Sequence, residues 1–416
     1  MKKDRCLLVS PDFPPPLVGG SLVYIKTLVE NCEENFDILT SPLANDANSE
    51  SINHPHKVIR SSFIVNSSDP SKVNLFFSYF FILTWVSIKM IFRSYKLVVA
   101  NPGVIGNSLL FLIGKLLKTK VVGIAYAEEL TIPLRSRGLK NSIKRNLIQF
   151  SYKKADGLIS VCHFCKDLLT NKFGLKEQNI DVIASCLDQS KHSEWKEITS
   201  SGRRILSVGR LIERKGFHFL INAIAGLKKE LPDLSLNIIG IGPMEERLSK
   251  LIIELNAQEY IHLLGSIDDK GLLSFYEKSD LFVLANYQLD NGDTEGCPSV
   301  FAEAMAHGIP IIGGKGGGVE TAIIDGENGL VVEMKDNDQI KRAIKKVFLN
   351  QNLRMSMIKN GKKKLKRDHD SKVVGLAFNK SINRFIKGNL ATGFQKEFNR
   401  NIPSIQAPVQ KVTMDE

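Results

Sequence analysis

Cysteine is sparse in this chain and poorly arranged for either a metal site or a disulfide framework. Six cysteines are scattered through 416 residues, a usage expected of a reducing compartment. Cys162 and Cys165 form a C-x-x-C pair, but no second pair supplies the other two ligands of a structural zinc site, so packing is their expected role. Other fingerprints are missing as well. No G-x4-G-K-[ST] loop is present, which argues against a P-loop ATPase. Gly240 and Gly242 begin a G-x-G turn, but Glu245 stands where a dinucleotide-binding loop needs its third glycine, which argues against a nicotinamide-dependent dehydrogenase. The amino end runs directly into an apolar pattern at residues 7–10 and carries no cleavable leader pattern.

What is present is the composition of a globular protein too long for one core. The chain is 43% hydrophobic and 24% charged, and 416 residues predict two domains. An excess of 56 Lys and Arg over 44 Asp and Glu, net +12, favours an anionic partner: nucleic acid, an acidic lipid surface or a phosphorylated small molecule.

Short apolar runs alternate with longer helical ones, the pattern of parallel-sheet α/β domains. Strands are expected at residues 7–10, 97–100, 121–124 and 157–161, with a helix from about Ser21. A polar stretch without periodicity at 185–203 reads as an interdomain linker. A second series follows, with strands at 205–208, 236–239, 261–263, 281–284 and 310–312. The predicted units are a first domain over 1–190, a second over 200–365, a helix over 366–388 returning toward the first domain, and a loosely ordered tail over 389–416.

Residues 73–92 hold fifteen apolar residues in twenty, seven of them aromatic. The length suits a membrane span, yet a span here would split the first domain across the bilayer. A buried core helix and a helix dipped into a membrane interface both fit. Nearby, residues 130–155 carry seven Lys or Arg and no acid.

Three stretches carry the chemistry. The loop PPPLVGGS at residues 14–21 lies between the first strand and its helix; Gly19 and Gly20 let backbone approach a ligand beside a helix N-terminus that favours an anion. VGRLIERKG, residues 208–216, follows the first strand of the second domain. Arg210 leaves the carboxyl end of that strand, where open α/β sheets bind ligands, and Lys215 follows five residues later. Two cations there suit a diphosphate. EGCPSVFAEAMAHGIP, residues 295–310, places Glu295 in a loop and Glu303 about one turn into a helix opening near Ser299 and Val300. A carboxylate at Glu303 can accept both hydroxyls of a ribose.

The order of a GG loop, a GR-x4-KG stretch and an E-x7-E stretch resembles family 4 retaining glycosyltransferases, the group 1 glycosyl transferases of GT-B architecture. The resemblance implies an α/β fold of two Rossmann-like, doubly wound domains facing across a cleft. It implies that Arg210 and Lys215 neutralise a donor diphosphate, Glu303 holds the ribose and Glu295 contacts the transferred sugar. Gly19 and Gly20 fall where the family's N-terminal loop closes on the donor phosphate or the acceptor, and Gly240, Gly265 and Ser266 in loops near the nucleotide base. Tyr126 and Glu129 of GIAYAEEL lie on the acceptor side, where many relatives have H-G-x-E, with Tyr126 at the histidine position. No Asp-x-Asp or His/Cys cluster accompanies these motifs, so no metal is expected, and the nucleotide-sugar is a substrate with no further cofactor. The expected acceptor is a lipid-linked or polysaccharide intermediate, and the expected location is cytoplasmic, peripheral at the inner face of the cell membrane. On the same charge, the alternative is a basic nucleic-acid- or membrane-binding protein on a degenerate transferase fold. No groove-reading module accompanies the basic run, so no specific nucleic acid is expected.

Overall fold

The computed structural model describes residues 5–14, 20–43, 55–66, 71–101, 108–135, 138–187 and 202–388. Gly19, most of the linker at 185–203 and the tail at 389–416 lie outside the described residues. The first domain runs β1 (Arg5–Val9), α1 (Gly20–Glu30), β2 (Asn35–Thr40), β3 (Lys57–Arg60), α2 (Lys72–Ile91), β4 (Leu97–Ala100) and α3 (Ser108–Leu117). It continues through β5 (Lys120–Ala125), α4 (Ala127–Arg135), α5 (Leu139–Lys154), β6 (Gly157–Ser160), α6 (His163–Asn171) and β7 (Ile180–Val182).

The second domain opens with β8 (Arg203–Val208), α7 (Phe217–Leu227), β9 (Leu234–Ile239), α8 (Glu245–Glu254), β10 (Ile261–Leu263), α9 (Asp269–Lys278) and β11 (Leu281–Leu284). After these come α10 (Ser299–Ala306), β12 (Ile311–Gly314), α11 (Val319–Ala322), β13 (Leu330–Val332), α12 (Asn337–Leu349) and α13 (Gln351–Lys364).

Both sheets are parallel, in the orders β3-β2-β1-β4-β5-β6-β7 and β10-β9-β8-β11-β12-β13. The central strands are unbroken apolar runs because helices cover both faces; β4 (LVVA) and β11 (LFVL) are buried throughout. In each sheet the order reverses once, between β1 and β4 and between β8 and β11. The chain leaves those neighbouring strands in opposite directions, which opens a crevice at their carboxyl ends. Two doubly wound α/β domains are the architecture expected above. The sequence pattern did not anticipate β2, β3 and β7. β2 carries Asp37, which pairs with Arg5 at 2.7 Å and accepts from Tyr95 Oη at 2.9 Å, and that polar residue breaks the apolar run.

After α13 a π-helical turn, Leu365–His369, leads back to the first domain and α14 (Ser371–Lys387). Phe378 of α14 is fully buried in the first domain's core, stacked on Phe36 with centroids 5.9 Å apart. Arg384 reaches Asp181 at 2.7 Å. At the crossing the Leu187 amide donates to the His369 carbonyl at 2.9 Å, and His369 Nδ1 donates to the Ser185 carbonyl at 2.6 Å. Burial holds the His369 pKa down at about 4, so the ring stays neutral. The two segments that join the domains are thereby tied to each other.

Helix α2 is the sequence's apolar segment, and only one stripe of it, Ser78, Ile82, Val86 and Met90, is buried. Tyr79, Phe81, Leu83 and Trp85 are partly buried beside it against the same core, while Val73, Phe76, Phe77, Phe80, Ile88 and Ile91 stay exposed.

The position of Phe378 makes α14 part of the first domain's stability. Phe378→Ala is expected to cost about 3–5 kcal/mol, read as a lowered denaturation midpoint with an unchanged second-domain signal. A loss below about 1 kcal/mol would show that α14 is an appendage.

Candidate active site

Arg210 and Lys215 stand at the carboxyl edge of β8. The backbone of Gly209 pairs with β9's end, its amide donating to the Ile239 carbonyl at 3.0 Å. Gly240, at the matching end of β9, has φ +144°, and a Cβ there would lie 2.0 Å from the Gly209 carbonyl oxygen. Only glycine lets the two loops close so tightly. Its amide in turn donates to the Gly265 carbonyl at 2.8 Å, which brings the loop holding Gly265 and Ser266 to the same edge. Arg210 is exposed at this edge and makes no side-chain hydrogen bond or ion pair among the described residues.

Lys215 does have a partner. Its Nζ lies 3.1 Å from Glu295 Oε1, and Arg214 Nε donates to the same oxygen at 2.8 Å. Glu295 is 7% exposed. Burial alone would push its pKa up, but Lys215 and then Arg214 outweigh that and leave it below the ordinary carboxylate value. Arg214 also spans to Asp293 at 3.3 Å. A glycine loop fixes the backbone beneath this cluster: the Gly318 amide donates to the Glu295 carbonyl at 2.9 Å. A Cβ on Gly317, at φ +61°, would sit 2.2 Å from that same carbonyl oxygen.

Glu303 lies on the first turns of α10. Its Oε2 accepts from Tyr276 Oη at 2.9 Å and its Oε1 from Ser299 Oγ at 3.3 Å. Val300, partly buried, packs into the core below. A Cβ on Gly20, the first residue of α1, would lie 3.5 Å from Ser299 Oγ. The start of α1 in one domain therefore meets the start of α10 in the other.

On the first-domain wall, Tyr126 Oη donates to Asn101 Oδ1 at 2.7 Å, and Asn101 Nδ2 donates to Ser10 Oγ at 2.9 Å. This chain crosses the carboxyl ends of β5, β4 and β1. Burial raises the Tyr126 pKa far above the ordinary phenol range. Glu129 is engaged by α5: Tyr152 Oη donates to its Oε2 at 3.4 Å, and burial pushes its pKa up to about 8. The exposed acid is its neighbour Glu128. The cleft walls raise the Glu128 pKa, while the charges of Arg214 and Arg210 across the cleft pull it down. Sequence motifs missed Arg214 and Glu128. Arg214 was legible only as a third cation in a basic turn, and Glu128 only as the neighbour of a motif acid.

The two Asp-x-Asp stretches, at 336–338 and 368–370, are engaged elsewhere. Asp336 caps α12, accepting from the Asp338 and Gln339 amides. Asp368 is held by Lys364 at 2.6 Å and Arg367 at 2.7 Å, and Asp370 caps α14. Among the described residues no group of three or more His, Cys, Asp or Glu side chains is arranged to hold a metal ion.

Residues 188–364 match the family model of glycosyl transferases group 1. That match takes in the second domain and less than half of the chain, and it makes this domain similar to the group 1 glycosyltransferases. The site just described, from Arg210 to Glu303, lies wholly inside that match on its second-domain side. A GDP-mannose-dependent alpha-(1-6)-phosphatidylinositol monomannoside mannosyltransferase of Mycolicibacterium smegmatis is 33% identical over 40% of this chain, and the chain spans only 44% of that relative. An uncharacterized glycosyltransferase of Methanocaldococcus jannaschii is 25% identical over 91% of the chain and 98% of its own length. Among solved structures, sucrose-phosphate synthase of Thermosynechococcus elongatus superposes with a TM-score of 0.73 at 18% identity, covering 92% of this chain and 99% of its own. Anabaena HepE, solved with UDP and glucose, gives a TM-score of 0.68 at 15% identity, covering 91% of this chain and 99% of its own. These two show that the GT-B fold extends over both domains.

The buried pairing of Glu129 has a pH signature. Its folded pKa of about 8 exceeds the ordinary 4.5, so the folded state holds a proton that the unfolded state has lost. Stability therefore falls as pH rises from about 4.5 to about 8 and levels off above. Glu129→Gln is expected to melt higher than the parent at pH 8, with the difference closing near pH 4.5. Equal melting points at pH 8 would show that Glu129 ionises freely.

Proposed function

We propose that this chain is a retaining, metal-independent glycosyltransferase. It moves a hexose-type sugar from a nucleotide-diphosphate donor to a hydroxyl of a lipid-linked or polysaccharide acceptor in the cytoplasm. The observation that carries the reading is the cluster at the β8–β11 crevice: Glu295 fixed by Lys215 and Arg214, with Arg210 free beside it. Cations placed where the departing diphosphate gathers charge stabilise that charge without reorganisation. They do the work a divalent cation would otherwise do.

Donor binding follows from the same geometry. Glu303, steadied by Tyr276 and Ser299, presents a carboxylate to a ribose at the helix start. The Ser299 and Val300 end of α10 and the Gly20 end of α1 offer backbone N–H groups to phosphate oxygens. A UDP-sugar is preferred to a GDP-sugar on the likeness to Anabaena HepE, which runs the length of both domains. The GDP-mannose-dependent relative matches across less than half of its length.

Retention follows from what the site has in place of a base. Glu295 is held below the ordinary carboxylate pKa by two cations, so it is a weak base and suits a sugar hydroxyl. Tyr126 is a neutral phenol with its proton committed to Asn101. Glu128, the remaining acid at the cleft, lies in the fields of Arg214 and Arg210 on the leaving-group side, and on this reading the departing phosphate oxygen takes the acceptor proton on its own face. Closure of the two domains on the donor keeps water out of the step.

Two experiments test this. Arg210→Ala and Lys215→Ala are each expected to lower turnover by roughly two to three powers of ten, as losses of charge stabilisation do. The Arg210→Ala melting curve should stay near the parent's, whereas Lys215→Ala, which removes one partner of the buried Glu295, is expected to melt lower; near-normal transfer by a folded Lys215→Ala protein would overturn the donor-site assignment. For the stereochemistry, an α-linked donor should yield an α-linked product in excess chelator, read from the anomeric proton signal. A β product, or a strict requirement for added metal, would refute the mechanism. Ranking UDP against GDP by the rise in melting temperature fixes the base.

A further inference from the structure

The largest unexplained feature lies away from the cleft. α3 packs between α2 and α5, so the three helices form one continuous outer layer of the first domain. Nineteen large hydrophobic side chains are exposed among the described residues, and thirteen of them belong to this layer: seven on α2 with its cap Phe92, two on α3 and four on α5. On α2 the most exposed are Val73, Phe76, Phe77, Ile91 and Phe92, each between 60% and 76% accessible. Leu116 of α3 and Leu139 of α5 reach 72% and 79%. Soluble monomers rarely leave so many large apolar groups together in water, and such a patch marks an interaction surface.

Charge identifies what covers it. Residues 71–101, 108–120 and 138–155 contain twelve Lys or Arg and no Asp or Glu, and of these Lys96 pairs with Glu34 and Lys115 and Lys120 with Asp156. Lys140, Lys144, Arg145 and Lys153 pair with no carboxylate among the described residues. Two copies of this face brought together would set cation against cation, which opposes self-association. Aromatic side chains flanked by unpaired basic ones suit an anionic lipid surface, where apolar groups enter the acyl boundary and cations meet phosphate headgroups.

The packing also fixes how α2 meets the lipid. Ser78, Ile82, Val86 and Met90, spaced four apart, hold it against the core, and Ser78 Oγ accepts from the Val65 amide at 3.2 Å. β4 then starts at Leu97 in the interior of the sheet. A membrane-crossing α2 would have to abandon both. Its length and apolarity would otherwise allow a crossing.

We propose that the α2–α3–α5 face is a monotopic membrane-docking surface, with α2 lying in the plane of an anionic bilayer and apolar insertion, more than charge, providing retention. α4 joins this face to the cleft: it begins beside Tyr126 and Glu128 and packs on α5. A membrane-borne acceptor would therefore reach the cleft from the docked side. The docking itself does not depend on the transferase reading.

The test is sedimentation of the purified full chain with phosphatidylcholine vesicles, with and without phosphatidylglycerol. Binding is expected on the mixed vesicles, to be reduced but not abolished by half-molar salt, and to be released by alkaline carbonate. Phe76→Ser, Phe77→Ser and Phe80→Ser together should lower the partition coefficient at least about tenfold, with unchanged circular dichroism and melting because these side chains are exposed. Lys140→Gln, Lys144→Gln and Arg145→Gln together should lower it only on anionic vesicles. Absence of binding at low salt overturns the proposal. So does complete release by salt, retention through carbonate, or a dimer that the serine variant dissociates while neither form binds vesicles. Loss of transfer in an Arg210→Ala protein that still binds vesicles separates a failure of the catalytic reading from a failure of this one.

Discussion

The constraint on which the site depends is the ion cluster that holds Glu295. A carboxylate only 7% exposed to solvent cannot stay charged without partners. Lys215 and Arg214 supply them from the loop after β8, and so the β8 loop and the β11–α10 loop are held at a fixed separation. The cluster lowers the barrier to keeping a charge buried while leaving Arg210 uncommitted. One cation is therefore available to a ligand before any protein ion pair has to break.

Beneath the charges, backbone contacts set the tolerances. Gly317 and Gly318 approach the backbone of Glu295 and Gly296 so closely that a Cβ on either would clash, and a Cβ on Gly318 would also lie 2.6 Å from Cys162 Sγ. Cys162 caps α6 in the first domain. The same short loop thus touches the second domain's carboxylate and the first domain's helix start. Cys162 and Cys165 turn out to be packing elements of this junction, both fully buried with their sulfurs 3.1 Å apart, and the sequence reading of the pair as packing fits that setting. Near the crossing, Ser185 Oγ donates to Cys297 Sγ at 3.1 Å and the Ser185 carbonyl accepts from His369. The geometry of the cleft is in this way linked to the two segments that join the domains.

How much of this the sequence disclosed varies with the kind of interaction. The second-domain strands at 261–263 and 281–284 have the bounds expected, because each is an apolar run closed by polar loop residues. Arg210, Lys215 and Glu295 come together because their spacing is tied to strand ends, which a linear motif reports faithfully. The sequence was silent where partners are distant in the chain. β3 and β7 are short edge strands whose pairing is supplied by β2 and β6, and neither has an apolar signature of its own. Glu128 and Glu129 are adjacent and chemically identical, and only the position of Tyr152 decides which one turns inward. The status of residues 73–92 was undecidable for the same reason: apolarity is a property of the segment, whereas burial depends on what lies next to it. The described protein buries one stripe, covers its flanks in part and leaves seven large apolar side chains of the segment exposed.

The net charge of +12 can now be divided by location. Around the cleft the cations are largely balanced: Lys215 and Arg214 face Glu295 and Asp293, and Arg210 faces Glu128. Such a balance holds a concentrated local arrangement of both signs and produces little field at a distance. The layer formed by α2, α3 and α5 is the opposite case, since it has no acid of its own to offset its lysines and arginines. Part of the excess that first suggested an anionic partner therefore lies on the surface that also carries most of the exposed large apolar side chains, and a further part lies along residues 337–388. A polyanion groove reader needs hydrogen-bonding side chains and a shape to match a duplex, and exposed phenylalanines would leave it an unsolvated apolar border. A lipid surface satisfies both properties at once, which is why the same charge total, once placed on the structure, argues for a membrane and against a nucleic acid.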